Sequence, residues 1–313
     1  MIINDNIQPL VSVVIPNYNH ARYLEQRLDS VFNQTYPNFE VIILDDCSTD
    51  NSLEVINRYK DNPHLAQIVV NETNSGSTFK QWDKGIHLAK GAVVWIAESD
   101  DYCELNMLEE LVKVYTSRPN IVYAYTSSIS VDENDVKTID TKYNLGVKIF
   151  SGKNYIKHIL AFGCAVGNAS SAIFSRKAAL SISPAYLTFK GSGDYMFWIE
   201  MALHGDVAMA DYKLNYFRWA DGSVTHKYYA SGQSAQEDMR IIQFIESLYP
   251  LSWLHKRLAY VACAHRLKNI KYESEEIKNN CYEMWQVEKY DTPINNKLFW
   301  LRGALIRHCG IYI

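Results

Sequence analysis

Within about the first 100 residues, four short apolar runs alternate with segments of helical spacing, and this alternation limits the fold more than any other feature. The runs are VSVVIP from Val11, FEVIILDD from Phe39, AQIVV from Ala66 and GAVVWIAESDD from Gly91. The first two have the continuous apolar pattern of a strand buried on both faces, and the others read as a third and a fourth strand. After the first, Leu24, Leu28, Val31 and Phe32 recur at helical spacing among charged residues. After the second, Asn51 and Glu54 read as a capping box for a helix reaching about Tyr59. Helix-compatible residues up to Lys90 come after the third. Repeated strand–helix alternation predicts a doubly wound, mainly parallel α/β sheet, in which ligands bind beyond the carboxyl ends of the strands.

Further along, the spacing predicts a helix from Leu108 to Tyr115, a strand at IVYAYTSS, a strand at SSAIFSR and a helix at GDYMFWIEMALHG. Past about Tyr228 helical character takes over. The expected organisation is a catalytic domain over 1–228, with a donor half at about 9–120 and an acceptor half at about 121–228, and a helical appendage over 229–313.

Composition narrows the function classes. A net charge of −4 is unsuited to a protein that binds nucleic acid by neutralising phosphates. The cysteines at 47, 103, 164, 263, 281 and 309 form no CxxC or Cys/His ligand pattern, which excludes a zinc or dithiol motif. The opening MIINDNIQPL has neither the basic nor the apolar region of a secretion signal. No apolar stretch reaches the roughly 18–20 residues of a spanning helix. The expected location is cytoplasmic, with peripheral contact at the inner face of a membrane still open. The terminal LFWLRGALIRHCGIYI is aromatic and basic, but Arg302, Arg307 and His308 scatter around a helix, which favours packing over membrane binding.

Two strands end in acids: Asp45 and Asp46 on the second, and Glu98, Asp100 and Asp101 on the fourth. Carboxylates so placed are hard oxygen ligands for Mg²⁺ or Mn²⁺ holding a diphosphate. They equally serve as turn and helix caps. Like charges gathered at one sheet edge repel unless a cation or ligand compensates. A carboxylate there can also accept a hydrogen bond from a base ring N–H.

The ordered pattern VSVVIPNYNHARYLEQRLDSVFNQTYPNFEVIILDDCSTDNS, continued by NSG…KGIHLAKGAVVWIAESDD, resembles the family 2 glycosyltransferases of bacterial surface-polysaccharide assembly, which have the GT-A fold. The resemblance runs from about Pro9 to Thr225. It implies that Pro16 and Tyr18 lie beside the donor base and that Asp46 accepts from it. It places Asp100 near the ribose and the metal, and Asp101 on the metal. Asp194 in GSGDYMFW stands at the family's base position, where a carboxylate takes the acceptor hydroxyl's proton; Asp after Gly is also a common helix cap. The activity implied by the resemblance is transfer from a nucleotide-diphosphate sugar, UDP-sugar first, to a saccharide or lipid-linked saccharide hydroxyl, with Mg²⁺ or Mn²⁺ and inversion.

The chain departs from the pattern in places. SGSTFKQWDKG lacks the usual Ala-Arg-Asn, leaving Lys80 as the candidate phosphate-facing cation or a solvated helix lysine. Ala220 stands where many relatives have a histidine, with Arg218 before it and His226 after it. These departures keep open a degenerate, sugar-nucleotide-binding scaffold. A nicotinamide oxidoreductase or a sugar-phosphate nucleotidyltransferase would want a glycine-rich loop after the first strand, where this chain has PNYNHARY.

Overall fold

The computed structural model describes residues 8–139, 146–219 and 224–309. Its strands are β1 (Val11–Asn17), β2 (Phe39–Asp45), β3 (Leu65–Val70), β4 (Val93–Ile96), β5 (Tyr102–Cys103), β6 (Ile121–Val131), β7 (Lys137–Ile139), β8 (Val147–Ser151), β9 (Ala172–Ser175) and β10 (Asp206–Arg218). The helices are α1 (Ala21–Phe32), α2 (Ser52–Asn57), α3 (Thr78–Leu88), α4 (Met107–Thr116), α5 (Gly152–His158), α6 (Arg176–Ala179), α7 (Gly193–Ala202), α8 (Val224–Ala230), α9 (Gln233–Leu248), α10 (Trp253–Lys268), α11 (Glu275–Met284), α12 (Val287–Tyr290) and α13 (Pro293–Cys309). Two compact units interleave along the chain. One takes Met1–Ile149, Val166–Ser183 and His204–Trp219; the other takes Phe150–Ala165, Pro184–Leu203 and Ala220–Ile313.

The first unit is built on one mixed sheet, ordered β3-β2-β1-β4-β9-β6-β10-β5, with β7 on β6 and β8 on β10. β1 pairs parallel with both β2 and β4, so all three strands finish at one edge. β9 enters antiparallel between β4 and β6, and β10 returns parallel to β6. The continuous apolar character of β1 has a direct cause. Val11, Val13 and Ile15 pack with Leu24, Leu28 and Val31 of α1 and with Met107, Leu108 and Leu111 of α4. Val14 faces α3, so close to Gly85 that a Cβ there would lie 2.3 Å from Val14 Cγ1. Both faces of the strand are covered, as for parallel strands generally.

Several local expectations change. Pro16, the last residue of the VSVVIP run, lies inside β1, which extends to Asn17; its missing N–H falls beyond the β4 ladder, which stops at Val14 and Ile96. Asn51 makes no capping bond to α2; Asp50 instead accepts from the Ser52 N–H at 3.0 Å. β3 is half exposed because it is the edge strand. β10, a strand of 13 residues, has no clear sequence signature, since mixed burial breaks its periodicity.

In the second unit α7 is buried almost all round, with Phe197, Trp198 and Ile199 inaccessible to solvent. Arg302 of α13 turns inward over the Phe162 ring, 3.5 Å from its centroid. Elsewhere on α13, Ile294 and Leu301 are exposed. Among the described residues no helix is long and apolar enough to cross a membrane. The Arg307 and His308 side chains lie outside the described part.

Candidate functional site

Because β1 is flanked by β2 and β4, the chain leaves three adjacent strands at one edge, at Asn17–Asn19, Asp45–Cys47 and Ala97–Asp101. The turns there are sharp: Asn19 and Cys47 are left-handed, with φ of 56° and 65°. Local side chains hold these conformations. The Asn19 amide oxygen accepts from the Thr49 N–H at 2.7 Å. Asp45, fully buried, accepts from Asn17 Nδ2 at 2.8 Å and from the Ser48 N–H at 2.9 Å. Asp45 thus shapes the exit from β2.

Asp46 is also buried, and it organises the polar segment before α3. Its Oδ1 accepts from Asn71 Nδ2 at 2.5 Å, the Ser75 N–H at 2.9 Å and Gln81 Nε2 at 2.9 Å. Its Oδ2 accepts from the Ser75 hydroxyl at 2.7 Å. A base N–H at Asp46 therefore has to displace or share one of these donors. Tyr18, by contrast, is 45% exposed just past the end of β1. Lys80 is exposed on α3 and donates to the Ser75 carbonyl at 3.1 Å.

The acids after β4 divide by environment. Asp101 is 1% exposed and faces inward. Its Oδ2 accepts from Ser170 Oγ at 2.6 Å and Asn168 Nδ2 at 2.9 Å, and its Oδ1 accepts from the Arg218 N–H at 3.0 Å. The buried Arg27 guanidinium lies 3.8 Å away and fixes the acid loop by donating to the Glu98 carbonyl at 2.8 Å. Burial and the neighbouring Asp100 charge push the Asp101 carboxyl up, against the pull of Arg27, Ser170 and the Arg218 amide. Asp100 is half-buried, and among the described residues no hydrogen bond reaches its carboxylate. Beside it, Glu98 Oε1 accepts from Trp82 Nε1 at 2.7 Å. Desolvation, followed by the Asp100 charge, raises Glu98 to about 8.

Arg27, Trp82, Asn168 and Ser170 were not singled out from sequence, although Arg27 carried a signal: it sits between Leu24 and Leu28 on the apolar face of α1. Arg218 is committed elsewhere. It donates to the Asp100 and Asp132 carbonyls at 2.8 and 2.9 Å and pairs with Asp135 at 2.8 Å. Ala220 and the His226 side chain lie outside the described residues.

Among the described residues no group of three His, Cys, Asp or Glu side chains is gathered to hold a metal. The acids present still fit a hard cation that keeps water and phosphate oxygens as its other ligands, a habit of Mg²⁺ that needs only one or two carboxylates. The Asp100 carboxylate, without a hydrogen bond among the described residues and beside a Glu98 raised first by burial and then by the Asp100 charge, is a pair that a cation would relieve.

In the second unit Asp194 occupies the first turn of α7, half-buried, its Oδ1 accepting from the Tyr195 N–H at 2.7 Å. Burial raises its carboxyl to about 7, with help from the Asp238 and Glu237 charges. A carboxylate poised near neutrality is suited to taking a proton.

A mixed, largely parallel sheet with acid-bearing loops after two of three adjacent parallel strands defines a GT-A-like fold. Residues 12–179 match Glycosyl transferase family 2, and the chain belongs to that family. Hyaluronan synthase of Pasteurella multocida is 36% identical over 140 residues, 44% of this chain and 14% of that protein. The putative teichuronic acid biosynthesis glycosyltransferase TuaG of Bacillus subtilis is 35% identical over 113 residues, 36% of this chain and 44% of that protein. The chain thus spans less than half the length of these curated relatives. Staphylococcus aureus TarS 1–349, solved in complex with UDP-GlcNAc, superposes with a TM-score of 0.66 at 21% identity, covering 90% of this chain and 83% of that one. The mannosyltransferase PcManGT of Pyrobaculum calidifontis, solved with GDP-Man and Mn²⁺, gives 0.53 at 16% identity, covering 96% and 86%. At such identities the likeness establishes the fold.

Proposed function

We propose that the protein transfers a sugar from a nucleotide-diphosphate sugar to an acceptor hydroxyl, by single displacement with inversion, in the assembly of a polysaccharide or glycolipid. The observation that carries this reading is the Asp100 carboxylate, left without a hydrogen bond among the described residues at the edge where β1, β2 and β4 finish, in a chain of this family. Tyr18, exposed beside Pro16, offers the donor base a stacking face. Asp46 offers a ring N–H an acceptor once a loop donor yields, and uracil is the preferred base. Mg²⁺ or Mn²⁺ is assigned to Asp100 with Glu98 beside it, in preference to Asp101, whose oxygens are taken by buried donors. When bound, the metal neutralises charge on the departing diphosphate.

The acceptor oxygen bonds to the anomeric carbon as the carbon–oxygen bond to the diphosphate breaks, and Asp194 takes the hydroxyl proton. One displacement needs no enzyme nucleophile. Transfer is assigned to 1–228, and 229–313 supports it. Exposed Ile294, Trp300 and Leu301 on α13 support a peripheral membrane contact for a lipid-linked acceptor, consistent with a cytoplasmic location.

The experiment is a thermal-shift screen of UDP, GDP and dTDP with Mn²⁺, then turnover of the matching sugars. Stabilisation by one diphosphate, lost in Asp100→Asn, is expected. No shift with any of them counts against donor binding; binding without turnover in any acceptor pool indicates a scaffold.

A further inference from the structure

The carboxylate of Glu237, on α9, is 7% exposed and is surrounded by donors from another part of the chain. Its Oε1 accepts from the Lys190 N–H at 2.7 Å. Its Oε2 accepts from the Gly191 N–H at 3.1 Å, the Ser192 N–H at 2.9 Å and the Tyr228 hydroxyl at 2.7 Å. These three consecutive amides lead into α7, whose own N-cap, Ser192, makes no side-chain capping bond. Helix N-termini present unpaired N–H groups and a partial positive charge, and the carboxylate brought from α9 takes the N-cap Ser192 N–H together with the two amides before it. Gly191 permits the arrangement: a Cβ there would meet the Tyr228 ring at 2.4 Å. The clamp closes two residues before Asp194.

We propose that Glu237 is the positioning residue for Asp194, gripping the backbone of Lys190–Ser192 so that the helical appendage, and not the sheet, sets where that carboxylate points. The role rests on Asp194 being the base. Asp238, next along α9, complements it by pairing with Arg266 of α10 at 3.2 Å. The charged and titratable groups around Asp194 are then Tyr195 on its own helix, Tyr229 from α8, Glu237 and Asp238 from α9, and Arg266 behind Asp238.

The test compares the full-length protein with Glu237→Gln. Loss of the clamp is expected to speed amide exchange at Lys190–Ser192 about tenfold or more. Removing a nearby anion is expected to lower the Asp194 titration, monitored by carboxyl ¹³C shift. Release of UDP from a panel of UDP-sugars with Mn²⁺, water serving as acceptor, is expected to fall about 100-fold in kcat with donor KM unchanged. A folded Glu237→Gln with unaltered exchange and an unmoved Asp194 titration overturns the proposal. If Glu237→Gln does not fold, Tyr228→Phe, which removes one donor to Glu237, decides by the same two readouts. Asp194→Asn run in parallel separates the two ideas: full activity there refutes the base, whereas unchanged loop exchange in Glu237→Gln refutes the positioning.

Discussion

Asp100 and Asp101 are adjacent in sequence and opposite in environment, so replacing each in turn gives a sharp contrast. Asp101→Ala removes a buried acceptor from Ser170 Oγ, Asn168 Nδ2 and the Arg218 N–H, and leaves Arg27 buried without its counter-charge. Breaking a buried pair by deleting one partner costs about 3–5 kcal/mol. Total stability is on the order of 5–15 kcal/mol, so this loss takes a large share of it. Asp100→Asn removes a carboxylate that holds no hydrogen bond among the described residues, and any loss of stability should stay within about 0.5 kcal/mol. Urea denaturation of both variants, compared at the midpoint, measures the difference. Loss of metal-dependent nucleotide binding should track the other residue, Asp100. An Asp101→Ala protein that loses less than about 1 kcal/mol while losing metal-dependent binding would falsify the assignment of inward and outward roles.

Three further outcomes are expected. Gly85→Ala should destabilise by about 1–3 kcal/mol, because its Cβ enters the Val14 side chain; a paired Val14→Ala should recover part of the loss, and additive losses would contradict the contact. Glu98, raised from 4.5 to about 8, binds its proton more readily folded than unfolded, so its contribution is present below pH 4.5 and is lost as pH rises through about 8. Glu98→Gln should therefore flatten the stability profile over that window, and an unchanged slope in denaturation at several pH values would remove Glu98 as its source. Asp194→Asn should abolish turnover while keeping nucleotide-diphosphate affinity. The wild-type rate should rise with pH through about 7 as the base loses its proton; a rate flat from about pH 5 to 9 argues for another base.

The readable parts of this protein are those where burial on both faces or helical spacing acts within a few residues. β1, β2 and β4, α1 and α3 lie close to where continuous apolar runs and helical spacing put them, since the core demands those side chains locally. β10 was invisible because its burial depends on partners far away in the chain, and Asn51 makes no side-chain cap while Asp50 accepts from the Ser52 N–H that opens the helix. Arg27 on the apolar face of α1 was a legible anomaly whose meaning required its distant partner.

The sequence by itself determined that the strands after Val11, Phe39 and Gly91 end in polar and acidic segments, and which residue types stand there. The tertiary structure alone decided what each acid does. Asp45, Asp46 and Asp101 are consumed by donors from β1, the Asn71–Gln81 segment, the Asn168–Ser170 turn and β10, and the Asp100 carboxylate receives none among the described residues. A carboxylate's role depends on the donors within about 3 Å of its oxygens, and those come from parts of the chain that only folding brings together.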